Sequence, residues 1–219
     1  AVDARGNFID PHHIMALALR HLVERKGQTG EVVKTVSTTL MIDTICKKHN
    51  LTLHETPVGF NHIGDLMMHK DVLIGGEESG GISIKGHIPE GDGIIMGLLL
   101  LEIMATEGAP LHEIVADLQA EYGPAHYARW DVHLATQKPK KQVVKLIQDS
   151  APTTFNGEQI VRVDTMDGIK FYMSDNSWLL IRPSGTEPVL RIYAEARTPE
   201  AVKALLEAGG ALGQRVTGG

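Results

Sequence analysis

Residues 181–196 read "IRPSGTEPVLRIYAEA", and this stretch decides the fold of the second half of the chain. Two apolar runs flank a turn-rich loop, so the pattern predicts two strands joined as a hairpin. The loop carries more polar residues than a turn needs, and each strand carries an arginine, Arg182 and Arg191. We therefore expect the hairpin to be a binding element as well as part of a sheet.

Further strands surround this hairpin in the sequence. The patterns predict strands in "HYARWDVHLA" (126–135), "QIVRVD" (159–164), "IKFYMS" (169–174) and "SWLLIRP" (177–183), and helices in "KPKKQVVKLIQDSA" (138–151) and "TPEAVKALLEAGGAL" (198–212). Closely spaced strands flanked by helices favour an antiparallel sheet with helices on one face. Residues 124–219 are therefore predicted to form an α+β domain.

The first half of the chain alternates strand and helix patterns. Strands are predicted in "EVVKTV" (31–36), "LTLHET" (51–56) and "VLIGG" (72–76). Helices are predicted from Pro11, over 62–68, and in "STTLMIDTICKKHN" (37–50), "GDGIIMGLLLLEIMATEG" (91–108) and "PLHEIVADLQAEYG" (110–123). The helix in 37–50 has Ser and Thr as N-caps, and the helix in 91–108 is expected to be buried. Alternation of this kind predicts a three-layer α/β domain with a mixed sheet over residues 11–123. Residues 1–10 read as two short strands around a turn.

Composition excludes several classes of function. The net charge of −6 argues against a nucleic-acid or anionic-membrane surface, because phosphate backbones favour clustered Lys and Arg. No apolar run reaches the roughly 18 residues of a membrane span, and the first ten residues do not resemble a signal peptide. A single cysteine, Cys46, excludes an internal disulfide. We expect a cytoplasmic protein, and the sequence does not indicate its oligomeric state.

A glycine-rich acidic loop is the first candidate site. The segment "GGEESGGISIKGHIPEGDG" (75–93) follows an apolar strand, where open α/β sheets usually bind ligands. The carboxylate of Glu77 can accept hydrogen bonds from two sugar hydroxyls, and Ser79 can donate or accept beside it. A solvated surface loop is the alternative. A two-carboxylate hydrolase is disfavoured, because Glu77 and Glu78 are adjacent and extended backbone points them to opposite sides.

The loop of the hairpin is the second candidate site. Ser184 and Thr186 supply hydroxyl donors, and Gly185 lets consecutive backbone N–H groups turn inward as an anion nest. Arg182 offers a planar fork that matches two phosphate oxygens, and Arg191 adds a second fork from the returning strand. A turn with ordinary surface arginines is the alternative. No Walker pattern occurs, so a nucleotide triphosphate site of that class is not supported.

His87 is the candidate proton-transfer residue, because it lies inside the glycine-rich loop. A histidine there can act as an acid or base, or can fix the loop by a hydrogen bond. His12, His13 and His21 lack the spacing of metal ligands on one helical face. No metal ligands are predicted in this chain.

The two loops together resemble the α-D-phosphohexomutase superfamily, most closely its phosphoglucomutase/phosphomannomutase branch. "GGEESGG" followed by "GHIPEGDGI" is similar to the sugar-recognition loop of the family's third domain, and "RPSGTEPVLRIYAEA" to the phosphate loop of its fourth. "TPVGF" (56–60) is similar to another loop of the third domain. The resemblance covers essentially the whole chain, with three motifs in the family's order.

The resemblance implies a mutase that interconverts hexose 1-phosphate and hexose 6-phosphate through a bisphosphorylated sugar. Glu77 and Ser79 would hold the sugar's O3 and O4 hydroxyls, and Thr56 and Gly59 would line the same cleft. The non-reacting phosphate would be held by the loop and its flanking strands, through Arg182, Ser184, Gly185, Thr186 and Arg191. The implied partner is a hexose phosphate, and the implied cofactors are Mg²⁺ and glucose 1,6-bisphosphate, the latter as activator or intermediate.

The sequence departs from the family's pattern in several places. Close relatives usually carry Lys or Arg where this chain has Gly91, and many carry Lys where it has Asn61. The family's serine loop and D-x-D-x-D-R metal loop do not occur in this sequence. Residues 1–10 resemble the segment that follows the metal loop, so we expect them to be the tail of an absent metal-loop domain. The Mg²⁺ ligands are then expected in an N-terminal half, and this half alone is expected to be inactive.

Two alternatives remain at this point. One is a non-catalytic protein that binds phosphosugars. The other is a phosphoglucosamine mutase, although members of that branch typically read "GEMSGH" where this chain reads "GEESGG".

Overall fold

A computed structural model of the chain describes residues 1–136 and 138–218. Gln137 and Gly219, which fall inside the predicted second domain, lie outside the described residues. The chain divides into two compact units, Ala1–Gly123 and Pro124–Gly219, and each is described by itself.

The first unit contains a four-stranded mixed sheet. Its elements are α1 (Pro11–Glu24), β1 (Glu31–Thr35), α2 (Met41–His49), β2 (Leu53–Thr56), α3 (Phe60–His69), β3 (Val72–Gly76), β4 (Ile82–Ile84), α4 (Gly93–Glu107) and α5 (Leu111–Tyr122). The strand order is β2-β1-β3-β4. β1 pairs in parallel with β2 and β3, whereas β4 runs antiparallel to β3. The prediction of a mixed sheet is confirmed.

Helices cover both faces of this sheet. A Cβ built on Gly75 would meet Ile63 of α3, whereas one built on Gly76 would meet Met15 of α1. Consecutive strand residues point to opposite faces, so α3 lies on one side of the sheet and α1 on the other. The three-layer prediction is confirmed.

The first helix begins at a strong polar cap. Asp10 is the N-cap of α1, and its carboxylate accepts hydrogen bonds from the backbone N–H and the Nδ1 atom of His13, both at 2.9 Å. Burial would raise the pKa of Asp10, but the His13 side-chain hydrogen bond and the nearby imidazole charges lower it to about 2. His13 continues the network through Gln119 of α5, at 2.7 Å.

Of two predictions about helices of the first unit, one is confirmed in part and the other is wrong. Leu40, the residue before α2, provides no side-chain cap, and the hydroxyls of Thr35, Ser37 and Thr38 contact one another. The Thr39 hydroxyl, however, accepts from the Met41 N–H at 3.0 Å, so one of the predicted Ser and Thr caps is present. The helix α4 is only partly buried, since Ile94 is 79% exposed and Leu98 and Leu101 form the same outer stripe at 60% and 63%. Because apolar residues occur all round this helix, the sequence did not show that one face lies in solvent.

The second unit is built on one antiparallel sheet. Its elements are β5 (His126–His133), α6 (Lys140–Ser150), β6 (Thr154–Phe155), β7 (Glu158–Asp164), β8 (Ile169–Met173), β9 (Trp178–Pro183), β10 (Val189–Ala196) and α7 (Pro199–Thr217). The strand order is β5-β10-β9-β8-β7-β6. Apolar residues of one sheet face form a core with α6 and α7, including Leu179, Ile181 and Ile192. The predicted α+β fold with helices on one face is confirmed.

Some smaller features of the fold differ from the predictions. The short strands β4 and β6 were not predicted. Residues 1–10 form a single antiparallel bridge, Val2 with Phe8, where two short strands were predicted. Among the described residues, no single helix is long and apolar enough to cross a membrane, while α4 and α5 reach that length only as a pair bent by 81°.

Candidate functional site

Three loops of the first unit leave the same edge of the sheet. β1, β2 and β3 are parallel, so their carboxyl ends lie together, and Thr56 ends β2 while Gly76 ends β3. Thr56 is buried, and its hydroxyl donates to the carbonyl of Pro57 at 3.1 Å. Gly59 is the N-cap of α3. This edge therefore brings the predicted residues Thr56, Gly59 and Glu77 to one side of the unit.

In the acidic loop, the two predicted sugar-binding side chains, Glu77 and Ser79, are hydrogen-bonded to each other. The Glu77 N–H donates to the Gly81 carbonyl at 3.0 Å, and the Gly80 N–H donates to the Glu77 carbonyl at 3.1 Å. The hydroxyl of Ser79 donates to Glu77 Oε1 at 2.6 Å. Glu77 is half-buried and Ser79 is exposed. The pair thus presents a carboxylate oxygen and a hydroxyl oxygen side by side, an arrangement that can accept from two neighbouring sugar hydroxyls.

Glu78 points away from this pair, as expected for adjacent residues. Its carboxylate accepts a hydrogen bond at 3.3 Å from the hydroxyl of Ser37, which is fully buried in the β1–α2 turn. The contact joins the loop after β3 to the loop after β1.

The β1–α2 turn is a candidate part of the site that sequence reasoning missed. Thr35, Ser37 and Thr38 are buried and share hydroxyl contacts of 3.0 and 3.2 Å. Lys34, at 0% exposure, donates to the Thr39 carbonyl at 3.1 Å and pairs with the Asp43 carboxylate. The available signal was the run "STT" (37–39) directly after a buried strand, which we interpreted only as helix caps.

His87 is held by the residue that caps α4. Its Nε2 atom lies 2.9 Å from Asp92 Oδ2, while Asp92 Oδ1 accepts from the backbone N–H groups of Ile94 and Ile95 at 2.8 and 3.3 Å. The pKa of Asp92 is lowered most by the hydrogen bond from the Ile94 N–H and further by the hydrogen bond with the His87 side chain. A carboxylate fixes the imidazole in one orientation, which suits both interpretations of His87, proton transfer and loop support. Its catalytic role stays a prediction.

Gly91 closes the glycine-rich loop on itself. A Cβ at this position would lie 2.7 Å from the Cα of Gly81, in the turn that carries Glu77. The two loop segments touch more closely than any side chain at position 91 allows. Glycine at position 91 therefore has a structural reason in this chain.

The phosphate loop of the second unit gathers backbone donors at one point. The Ser184 N–H donates to the Val189 carbonyl at 2.9 Å, which closes the hairpin. The Ser184 hydroxyl oxygen, in a buried side chain, accepts from the N–H groups of Thr186 and Glu187 at 3.4 and 3.3 Å. Gly185 and Thr186 are exposed. Two successive N–H groups thus converge on the Ser184 hydroxyl oxygen through long, weak hydrogen bonds, and the anion nest stays a prediction.

The two arginines lie directly opposite each other across β9 and β10. Opposed residues of an antiparallel pair project on the same face, with Cβ atoms about 5 Å apart. Arg182 Nε donates to Asp167 Oδ2 at 2.7 Å, whereas Arg191 Nη2 makes only a 3.4 Å contact with Glu187. Arg191 Nε is buried and has no hydrogen-bond partner among the described residues. The hairpin therefore presents two guanidinium groups, one of them with an unused buried donor.

A polar and aromatic layer continues from these arginines along the same sheet face. Trp178 Nε1 donates to Glu195 Oε1 at 3.0 Å, and Lys170 Nζ lies 4.2 Å from the centre of the Trp178 ring. Trp178 and Tyr193 are almost completely buried. This layer, which the sequence analysis did not identify, supports the strands that carry Arg182 and Arg191.

The described residues do not fit a metal ion. No group of three or more His, Cys, Asp or Glu side chains within residues 1–136 and 138–218 is arranged to hold one. The binding roles predicted for the residues of both loops stay predictions.

Family models match most of the chain. The phosphoglucomutase/phosphomannomutase alpha/beta/alpha domain III model matches residues 10–122, and the model of the same family's C-terminal domain matches residues 132–208. The chain belongs to the phosphoglucomutase/phosphomannomutase family, and its two units correspond to domains III and IV of α-D-phosphohexomutases. The predicted resemblance is confirmed.

Similar proteins carry several names. A phosphoglucosamine mutase of Methanococcus aeolicus is 34% identical over 95% of this chain and 44% of its own length. A phosphoglucomutase/phosphomannomutase of Thermococcus kodakarensis is 28% identical over 95% of this chain and 43% of its own length. A solved structure from Thermus thermophilus, described as a phosphomannomutase, has a TM-score of 0.77 at 35% identity, over 94% of this chain and 41% of that chain. The chain spans less than half the length of each relative.

Proposed function

We propose that this chain supplies the sugar and phosphate recognition of a phosphohexomutase that interconverts hexose 1-phosphate and hexose 6-phosphate through a bisphosphorylated sugar. The observation that carries the proposal is the hairpin of the second unit. Its two arginines project from opposed positions on one face of the sheet, next to a loop with exposed Gly185 and Thr186, and guanidinium groups are the donors that phosphate oxygens prefer.

The acidic loop supports a sugar as the rest of the ligand. The Glu77 carboxylate, oriented by the Ser79 hydroxyl at 2.6 Å, is an acceptor for vicinal hydroxyl groups. Such contacts recognise hydroxyl groups and carry no nucleophile. The chain's role in phosphoryl transfer is therefore to bind and orient the substrate. Positioning and charge stabilisation are the main contributions of proteins to this reaction.

We assign no catalytic step to a metal in this chain, because the described residues offer no metal site. For the whole protein, Mg²⁺ and glucose 1,6-bisphosphate remain our proposed cofactor and intermediate, bound in part by residues beyond those described. His87, oriented by Asp92, is the one proposed acid or base of these two units.

A phosphoglucosamine mutase is the second candidate. It is favoured by the 34% identity to the Methanococcus aeolicus protein of that name. Glu78 argues against it, because the corresponding branch typically carries Met there, and here the carboxylate is tied to buried Ser37. Parallel titrations with glucose 6-phosphate and glucosamine 6-phosphate separate the candidates, since the preferred sugar should bind more tightly.

Calorimetry tests the phosphate site directly. Glucose 1,6-bisphosphate is titrated into the wild-type chain and into Arg182→Ala, with Arg197→Ala as the matched control. Arg197 lies on the same unit, and its Nε donates to a backbone carbonyl, that of Asp175, at 3.3 Å. Removing a charged hydrogen-bond donor from the phosphate site should weaken binding by about 10-fold or more. Equal affinities of wild type and Arg182→Ala would contradict the proposed site.

A further inference from the structure

The turn between β7 and β8 lies beside Arg182 and was not predicted to belong to the site. Asp167 in this turn is 6% exposed, and its Oδ2 atom accepts from Arg182 Nε at 2.7 Å. Its Oδ1 atom pairs with the ammonium group of Lys140, the first residue of α6. One buried carboxylate thus contacts two cations from two different elements.

The backbone of the same turn also packs on Arg182. Gly168 has a φ of +102°, and a Cβ there would lie 2.6 Å from the Ile181 carbonyl oxygen and 2.9 Å from the Arg182 Cα. Any other residue would be strained at this φ and would push the turn away from β9. Glycine at 168 is therefore what lets the Asp167 carboxylate reach Arg182.

The contact restrains the guanidinium without occupying its outer end. Asp167 takes the Nε donor, and within residues 1–136 and 138–218 it is the one hydrogen-bond partner of the Arg182 side chain. The terminal nitrogens, which form the fork that matches phosphate oxygens, stay available. Because Lys140 shares the carboxylate, the three groups keep a net positive charge, so the site retains its attraction for an anion.

We propose that Asp167 is a positioning residue of the phosphate site, which fixes the Arg182 fork in the orientation that receives phosphate. This inference rests on the proposed function of the hairpin loop. Lys140 compensates the charge that Asp167 brings, and Gly168 gives the turn its close approach.

Charge and positioning predict opposite results for Asp167→Asn. The substitution keeps the size of the side chain and removes a negative charge, so a purely electrostatic role predicts tighter anion binding. A positioning role predicts weaker binding, by about tenfold for a directly coupled contact. Inorganic phosphate and glucose 1,6-bisphosphate, titrated by calorimetry into the purified chain, are the probes. The matched control is Asp164→Asn in the same turn, whose carboxylate caps the Met166 N–H at 2.8 Å and should leave affinity unchanged.

A second readout follows the orientation of Arg182 itself. The Nε–H signal of Arg182 in an ¹⁵N-correlated NMR spectrum should shift and broaden in Asp167→Asn but not in Asp164→Asn. In an Arg182→Ala background, adding Asp167→Asn should produce no further loss of affinity, because the two residues act through one group. If Asp167→Asn fails to fold by circular dichroism, Asp167→Glu replaces it. That variant keeps the charge and displaces the carboxylate by one methylene, so positioning again predicts weaker binding and charge predicts no change.

The outcomes separate this inference from the proposed function. If Arg182→Ala leaves phosphate binding unchanged, the proposed function fails. If Arg182→Ala weakens binding while Asp167→Asn, or its replacement Asp167→Glu, binds as tightly as the wild type or more tightly, the positioning role alone is overturned.

Discussion

Arg and Lys pair with carboxylates in both units, and the described residues of the first unit also contain histidine–carboxylate pairs. In the first unit, imidazoles pair with carboxylates, as His13 does with Asp10 at 2.9 Å. In the described part of the second unit, neither His126 nor His133 makes such a pair, and charged contacts come from Arg and Lys, as in Arg182 with Asp167. Imidazoles titrate near neutral pH, whereas guanidinium and ammonium groups do not. Among the described residues, histidine–carboxylate pairs are confined to the first unit.

The candidate loops differ in the same way. The loop of the first unit presents acceptors, the Glu77 carboxylate and the Ser79 hydroxyl, on backbone that follows a strand. The loop of the second presents donors, Arg182 and Arg191, from positions fixed by strand register. A sugar hydroxyl and a phosphate need these opposite partners, so the two loops suit different kinds of chemical group.

The largest expected effect concerns the buried polar and aromatic layer that supports the strands carrying Arg182 and Arg191. Trp178→Ala removes a fully buried ring that contacts Lys170 and Glu195, and should lower the free energy of unfolding of the second unit by about 3–5 kcal/mol. Urea denaturation followed by circular dichroism measures the loss. The other tryptophan of the chain provides the control, because Trp130 is 43% exposed and its replacement by Ala should cost much less. Equal costs would contradict a structural role for the aromatic layer.

An intermediate effect tests the acid sensitivity of the first unit. The folded pKa of Asp10, about 2, lies below its ordinary value of 3.8, so the carboxylate stabilises the fold above about pH 4 and this contribution disappears as the pH falls towards 2. The shift corresponds to about 2 kcal/mol. Asn is also a good N-cap, so Asp10→Asn removes the charge while retaining the cap. Unfolding free energies measured from pH 6 to pH 2 should fall more steeply for the wild type than for this variant, and parallel curves would contradict the prediction.

The smallest expected effect distinguishes the acceptor groups of the acidic loop from the donor groups of the hairpin. Ser79→Ala removes the hydroxyl that orients Glu77, and should weaken glucose 1-phosphate binding by about 1 kcal/mol, or roughly fivefold. It should leave the binding of inorganic phosphate unchanged. Ser184→Ala, in the other loop, should weaken both ligands. Calorimetry with both ligands measures the difference, and a parallel loss for Ser79→Ala would mean that the acidic loop also contacts phosphate.

The features that the sequence predicted best depend on short-range patterns. The β9–β10 hairpin with its two arginines follows from strand alternation around one turn, and Thr198, the first residue of the predicted helix, is the N-cap of α7, with its hydroxyl accepting from Ala201 N–H. The mixed sheet follows from the alternation of strand and helix patterns. In the hairpin and the helix cap the interacting residues lie close together along the chain, whereas the β1–β3 pairing joins distant residues and was predicted only from the order of the elements.

The missed features depend on contacts between distant residues. The Arg182–Asp167 bond spans 15 residues, and the Ser37–Glu78 bond spans 41. Neither pair has a local pattern, because each forms only when two strands or two sheet-edge loops have come together. The exposed stripe of α4 was missed for another reason, since a helix that is apolar all round indicates burial but does not identify which face is covered.

The register of β9 with β10 separates recognition from loop composition. The distance between the Arg182 and Arg191 backbones is set by the ladder hydrogen bonds of the sheet and not by residues 184–188. Side chains of the loop can therefore be exchanged, at constant loop length, while the backbone positions that carry the two arginines keep their register. The hairpin is in this respect a scaffold in which the strands fix where the arginines stand and the loop residues can be varied separately.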